Sequence, residues 1–267
     1  MTDVLISSLP YLALGSITGL VAGLLGVGGG LIVVPALALL FQHFGIGADK
    51  LMHLALGTSL ATIIATSLSS IAAHHHHGNI RWPVFYSLTP GIITGVLAGS
   101  WLADHIDGGN LRIAFSVFVL IVATQMLLDL KPQASRQLPG YTGNGITGAI
   151  IGVVSALVGI GGGTMTTPYL LWNNIPIRQA IGTSAACGLP IALFGSLGYL
   201  LAGLDAGDLP AGSSGYIYWP AFFGIITTSI LFAPLGARLT TRLPVKVLKK
   251  LFAVILVAVA IRLLTAH

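Results

Sequence analysis

Polar residues in this chain are gathered into short intervals between long apolar runs. Six runs approach the roughly 20 residues a helix needs to cross a bilayer: 51–73, 83–103, 111–130, 177–204, 216–237 and 247–264. Two further apolar blocks, 4–43 and 143–172, are each interrupted by three consecutive glycines. The pattern predicts an all-α, polytopic membrane protein. The longest polar connection, 131–142, is a short linker and leaves no room for a separate soluble domain. The N-terminal stretch MTDVLISSLPYLALGSITG has neither the positive start nor the cleavage site of a signal peptide. We read it as a membrane segment.

Composition sharpens the picture. Only 7% of the residues are charged and 55% are hydrophobic, whereas a soluble domain carries about 25% charged residues. The formal net charge of +5 is spread over short loops rather than one stripe. That distribution orients a membrane chain and does not suit nucleic acid. A single cysteine, Cys187, excludes an internal disulfide and a cysteine-built zinc site. Nothing in the pattern asks for a cofactor or a bound metal. The run His74-His75-His76-His77 reads either as a solvated interfacial segment or as a metal-binding tract.

The chain repeats itself. GVGGGLIVVP (26–35) matches GIGGGTMTTP (159–168), ALGTSLA (55–61) matches AIGTSAA (180–186), and WPVF (82–85) matches WPAF (219–222). From the last pair an ungapped register sets Gly99 on Gly236, Leu111 on Leu248 and Phe115 on Phe252. We therefore divide the chain into a first membrane repeat, 1–130, a cytoplasmic linker, 131–142, and a second membrane repeat, 143–267. Each repeat is expected to hold a glycine-broken helical hairpin plus three spanning helices.

Charge predicts how the repeats lie. If the basic loop 238–250 is cytoplasmic, counting crossings places Arg81, Lys131, Arg136, Arg178 and that loop's five basic residues inside. Lys50, Arg112 and Arg262 then lie outside, nine against three. Loop 104–110 carries Asp104 and Asp107 where its repeat-mate carries the basic cluster. Opposed charge bias in matching segments is the mark of inverted repeats.

The glycine triplets break helices, since glycine costs a helix about 1 kcal/mol relative to alanine. Residues 163–172 give only about 15 Å of helix, too short for a hydrocarbon core of about 30 Å. A helix, glycine loop and half-helix that dip in and return fit this length. Non-helical backbone at that depth lines a cavity or is buried in protein. The N-terminus of a half-helix presents N–H donors to an anion, and successive glycine N–H groups can form an anion nest. Close helix packing is the other reading of such glycines. Pro35 and Pro168 suit either kinks or local helix starts. Candidate substrate-binding residues are Gly28, Gly29, Gly30, Gly161, Gly162 and Gly163, with Thr58, Ser59, Thr183 and Ser184 of the GTS motifs and Cys187. The hydroxyls could complete an oxyanion site or bond their own helix carbonyls. Cys187 reads as a small buried residue or a reactive thiol. No Asp, Glu or Lys lies near the centre of an apolar span, so no carboxylate relay of the kind found in ion-coupled carriers is visible.

The paired glycine motifs, GTS motifs and WP starts resemble the TauE/SafE family of sulfite and organosulfur anion transporters, over essentially the whole chain. The resemblance implies a multi-pass permease of a bacterial-type inner membrane, not an enzyme, that exports sulfite, a sulfonate or a related small anion. Its partners would be that anion and the lipid bilayer; a homo-oligomer is compatible with the pattern. A channel-like passive pore and a membrane thiol enzyme acting on a sulfur compound are the alternative functions.

Overall fold

The computed structural model describes residues 2–25, 29–128, 137–239 and 245–265. Among these, ten α-helices follow in chain order: α1 (Thr2–Leu25), α2 (Gly30–His43), α3 (Ala48–His76), α4 (Trp82–Asp104), α5 (Gly108–Leu127), α6 (Tyr141–Val158), α7 (Thr166–Trp172), α8 (Ile177–Ala202), α9 (Trp219–Leu239) and α10 (Val245–Thr265). Five of them, α3, α4, α5, α6 and α8, are long and apolar enough to cross a membrane. Large side chains around the outside, such as Ile121, Ile150, Leu201 and Leu231, are exposed. Where the surrounding solvent is lipid, an apolar exterior is the stable arrangement. The protein is an all-α, polytopic membrane protein.

One apolar run departs from the helix expected of it. Residues 216–218 open the run 216–237, yet Ile217–Tyr218 pairs antiparallel with Ser213–Ser214 in a two-residue hairpin. Gly215, at φ 52°, makes its turn, a backbone that glycine adopts freely. The helix begins one residue later at Trp219, with Pro220 in its first turn, where a missing N–H leaves no bond unmade.

Helices pack by exchange between the two halves of the chain. α1 lies along α9 and α6 along α4, while α3 crosses α8 and α5 lies against α10. Glycines set the closest of these approaches. A Cβ at Gly91 or Gly95 of α4 would run into the carbonyl oxygens of Gly145 and Ala149 on α6. At Gly15 of α1 it would meet the Ile225 carbonyl oxygen of α9. Membrane helices associate through such stripes because lipid tails are as apolar as leucine, leaving close van der Waals contact to hold them. The WP register carries through to the helix starts: α4 and α9 both begin on the tryptophan, and α5 and α10 begin at Gly108 and Val245, the same offset on.

Candidate functional site

The second glycine motif breaks its helix as its sequence suggests. α6 ends at Gly159, whose φ of 67° is left-handed, and Ile160 N–H turns back to the Ser155 carbonyl oxygen at 3.2 Å. Gly161 is extended, Gly162–Thr164 form one 3₁₀ turn, and α7 follows with only seven residues. Pro168 sits in the first turn of α7 and acts as a helix start. Pro35, in contrast, lies inside α2.

The start of α2 meets the second break. Gly30, the last glycine of the first triplet, is buried, and a Cβ there would stand 2.8 Å from the Gly159 carbonyl oxygen and 2.9 Å from Ile160 Cα. Gly29 caps α2 without a side-chain partner. Gly28 lies outside the described residues. On the second triplet, Gly161 faces Ile63 of α3, and Gly162 is pressed on α8, where a Cβ would be 2.5 Å from the Ser184 carbonyl oxygen. The break is thus held between α3 and α8.

Ser59 donates to the Gly159 carbonyl oxygen at 2.8 Å, closing the C-terminal end of α6. Ser184 bonds Thr167 of α7 at 2.7 Å and donates to its own helix at Ile181 O, 2.9 Å. Cys187 is fully buried on α8, its backbone carbonyl carbon 3.4 Å from a Cβ built at Gly162. Among the described residues no group of three or more His, Cys, Asp or Glu could hold a metal ion.

Thr58 and Thr183 have a different place. Thr58 Oγ1 accepts from the Tyr218 N–H at 2.9 Å, and Thr183 Oγ1 accepts from the Arg81 N–H at 2.9 Å. Tyr218 and Arg81 are the residues immediately before the two WP helices. The neighbouring glycines share the task. A Cβ at Gly57 would strike the Tyr216 carbonyl oxygen, and one at Gly182 the Asn79 carbonyl oxygen. Each G-T pair therefore clasps the entry to the other half's WP helix, with glycine admitting the backbone and threonine satisfying its N–H.

Several polar groups here escaped the sequence reading. Thr164 and Thr166 have buried hydroxyl oxygens with no partner among the described residues. The second motif reads TMTTP where the first reads LIVVP, and that contrast was the available signal. A further network, Tyr169 OH to Asn144 Oδ1 at 2.6 Å and Asn144 Nδ2 to Ser87 Oγ at 2.9 Å, ties α7 to α6 and α4.

Apolar helices long enough to cross a membrane, interlocked across the two halves of the chain, define a polytopic membrane protein. Residues 11–263 match the family model described as sulfite exporter TauE/SafE. The chain belongs to that family. It is 39% identical over 253 residues to a protein of Haemophilus influenzae named "Probable membrane transporter protein", covering 94% of this chain and 96% of that one. A protein of Methanocaldococcus jannaschii with a name of the same kind is 30% identical, with 93% and 92% covered. No solved structure matches.

Proposed function

We propose that this membrane transporter carries a small sulfur-containing oxyanion, such as sulfite or a sulfonate, by alternating access between two inverted repeats, most often outward across a bacterial-type inner membrane. The observation that supports the site is the meeting of the start of α2 with the second glycine break, Gly30 against Gly159 and Ile160. Beside it, the leading N–H groups of a helix start have no intrahelical acceptor. Gly28 to Gly30 and Gly161 to Gly163 would offer such donors, with Ser59, Ser184 and Cys187 around them. Thr58 and Thr183 keep a hydroxyl proton each while holding the WP entries. The unpartnered hydroxyls of Thr164 and Thr166 are the strongest pointer to a ligand, because a buried polar atom without a partner is costly unless something else bonds it. Backbone dipoles and hydroxyls without a cation side chain give modest affinity, which suits export from a concentrated pool. The family's sulfite exporter description supplies the substrate class.

Thr166→Val and Thr164→Val separate ligand binding from packing. Removing an unpartnered buried hydroxyl should leave stability unchanged or raise it by about 1 kcal/mol. If the hydroxyls bond the anion, sulfite flux into proteoliposomes falls about tenfold for each hydrogen bond worth about 1.4 kcal/mol. Unchanged flux of sulfite, taurine and sulfate in both stable variants would count against this site.

A further inference from the structure

His53 stands apart from the glycine breaks, near the start of α3, and is 3% exposed. Its Nδ1 lies 3.0 Å from the Asp49 carbonyl oxygen, and its Nε2 lies 2.9 Å from the Ala103 carbonyl oxygen on α4. A carbonyl oxygen can only accept. A neutral imidazole has one N–H and one bare lone pair, so either tautomer sets a lone pair against a carbonyl oxygen at one of the two contacts. Changing tautomer moves the mismatch without curing it. Only the imidazolium, with both nitrogens protonated, satisfies both carbonyls.

Burial works against a charge here, and several neighbours attract one. Ala103 belongs to the last turn of α4, the negative end of a helix dipole. The Tyr216 ring lies over the imidazole, with centroids 4.9 Å apart and planes at 32°, an arrangement in which an aromatic face attracts positive charge. The Tyr216 hydroxyl donates to Asp104 Oδ1 at 3.1 Å, keeping a carboxylate beside Ala103. Lys50 opposes, its Nζ 5.9 Å from the centre of the same ring. Tyr199 of α8 meets Tyr216 edge-on at 6.3 Å. From α5, Asp107 accepts from Asn110 at 2.7 Å, and Arg112 has a buried Nε without a partner among the described residues. His43 at the end of α2, Tyr218 on the hairpin, Asp49 on α3 itself, Tyr86 and His105 on and after α4, and Arg178 and Cys187 on α8 are the further titratable groups on these elements. The repeat register sets His53 on Arg178, a residue whose charge is permanent, and Tyr216 on Asn79. A titratable cation with an acid and an aromatic partner thus exists in one half of the chain and not at the matching positions of the other.

We propose that His53 is a proton-binding site: with the proton bound, its ring donates both across to the Ala103 carbonyl of α4 and to the Asp49 carbonyl within α3, and on release only one of the two bonds can remain. The site makes the bundle sensitive to pH at the end where the charge bias places the outer face, whichever anion is carried. The sign follows directly. Both bonds are present when His53 is protonated, at acid pH, and one of them is lost as pH rises.

The test uses the full chain in lipid nanodiscs with ¹⁵N-labelled histidine and His74–His77 changed to glutamine to clear the spectrum. The pH is moved from about 5 to about 8, where histidine changes charge. The His53 signal is assigned by its loss in His53→Gln or, should that variant not fold, by the slow exchange of its buried N–H. Two protonated ring nitrogens at the acid end, one of them lost on titration, is the expected result. A single neutral tautomer over the whole range overturns the proposal. Sulfite flux in proteoliposomes gives the second arm. Wild type should show about a tenfold change over the window beyond that of His53→Arg, whose charge is fixed. The comparison removes the titration of sulfite itself. Identical pH profiles overturn the proposal. Absence of sulfite flux in wild type speaks only against the substrate class above, and the NMR arm then decides.

Discussion

Thr58 and Thr183 show how one hydroxyl can hold two halves of a membrane protein together. Each oxygen is fully buried and accepts the N–H that opens a helix of the other half. Replacing Thr58 by valine keeps the shape but leaves the Tyr218 N–H unmatched, at a cost of about 1–3 kcal/mol. Thr58→Ser restores the acceptor and should recover most of the loss. Thermal unfolding in detergent, read for T58V, T58S and the double variant T58V/T183V, checks both statements. The two clasps share no partner, so their costs should add within about 0.5 kcal/mol. Tyr216 shows a different residue-scale effect. Burial first, and then the Asp104 charge, push its hydroxyl up to about 12, so it remains a donor to Asp104 throughout the physiological range.

At the scale of elements, glycine does two separable jobs. In α4 the stripe Gly91, Gly95 and Gly99 lets α6 approach backbone to backbone. At Gly159 the issue is conformational: a left-handed φ of 67°, with Leu56 and Val34 side chains within 2.9 Å of a would-be Cβ. Gly95→Ala should therefore part α4 from α6 and lower the unfolding temperature, whereas Gly109→Ala, with nothing within 4 Å, should not lower it. Adding a methyl where no space exists costs about 1–3 kcal/mol. Differential scanning fluorimetry of the two variants side by side is enough to check this. These contacts also explain what the hydropathy pattern misses. It registers a run of apolar residues but not the neighbour that each will touch, so residues 216–218, half of the hairpin, count by hydropathy as the start of a span.

For the whole molecule the decisive feature is exchange. The first helix of each half packs along the WP helix of the other, α1 on α9 and α6 on α4, and Gly30 at the start of α2 meets the second glycine break. Alone, the first half keeps the packing of α2 and α5 on α3 but loses α9 from α1, α6 from α4 and α10 from α5. Residues 1–130 expressed without the rest should be degraded or aggregate, and co-expression with 131–267 should restore a detergent-stable complex. A first half that folds and is stable alone would contradict this account.

Much of this protein could be read from its residues in order. Hydropathy fixes helix number and class, since a backbone in lipid must satisfy its own hydrogen bonds. Glycine runs mark the breaks, and the duplicated motifs mark matching elements. What order along the chain could not contain is which polar groups find partners. Ser59 bonds a carbonyl 100 positions away, and Thr58 an N–H 160 positions away. His53 finds the Asp49 carbonyl within its own helix but the Ala103 carbonyl, 50 positions away, only when α3 and α4 are packed, and the bare hydroxyls of Thr164 and Thr166 are recognisable only once every neighbour is in place. Hydrogen bonds are short and directional, so their pairing belongs to three-dimensional geometry and not to spacing along the chain.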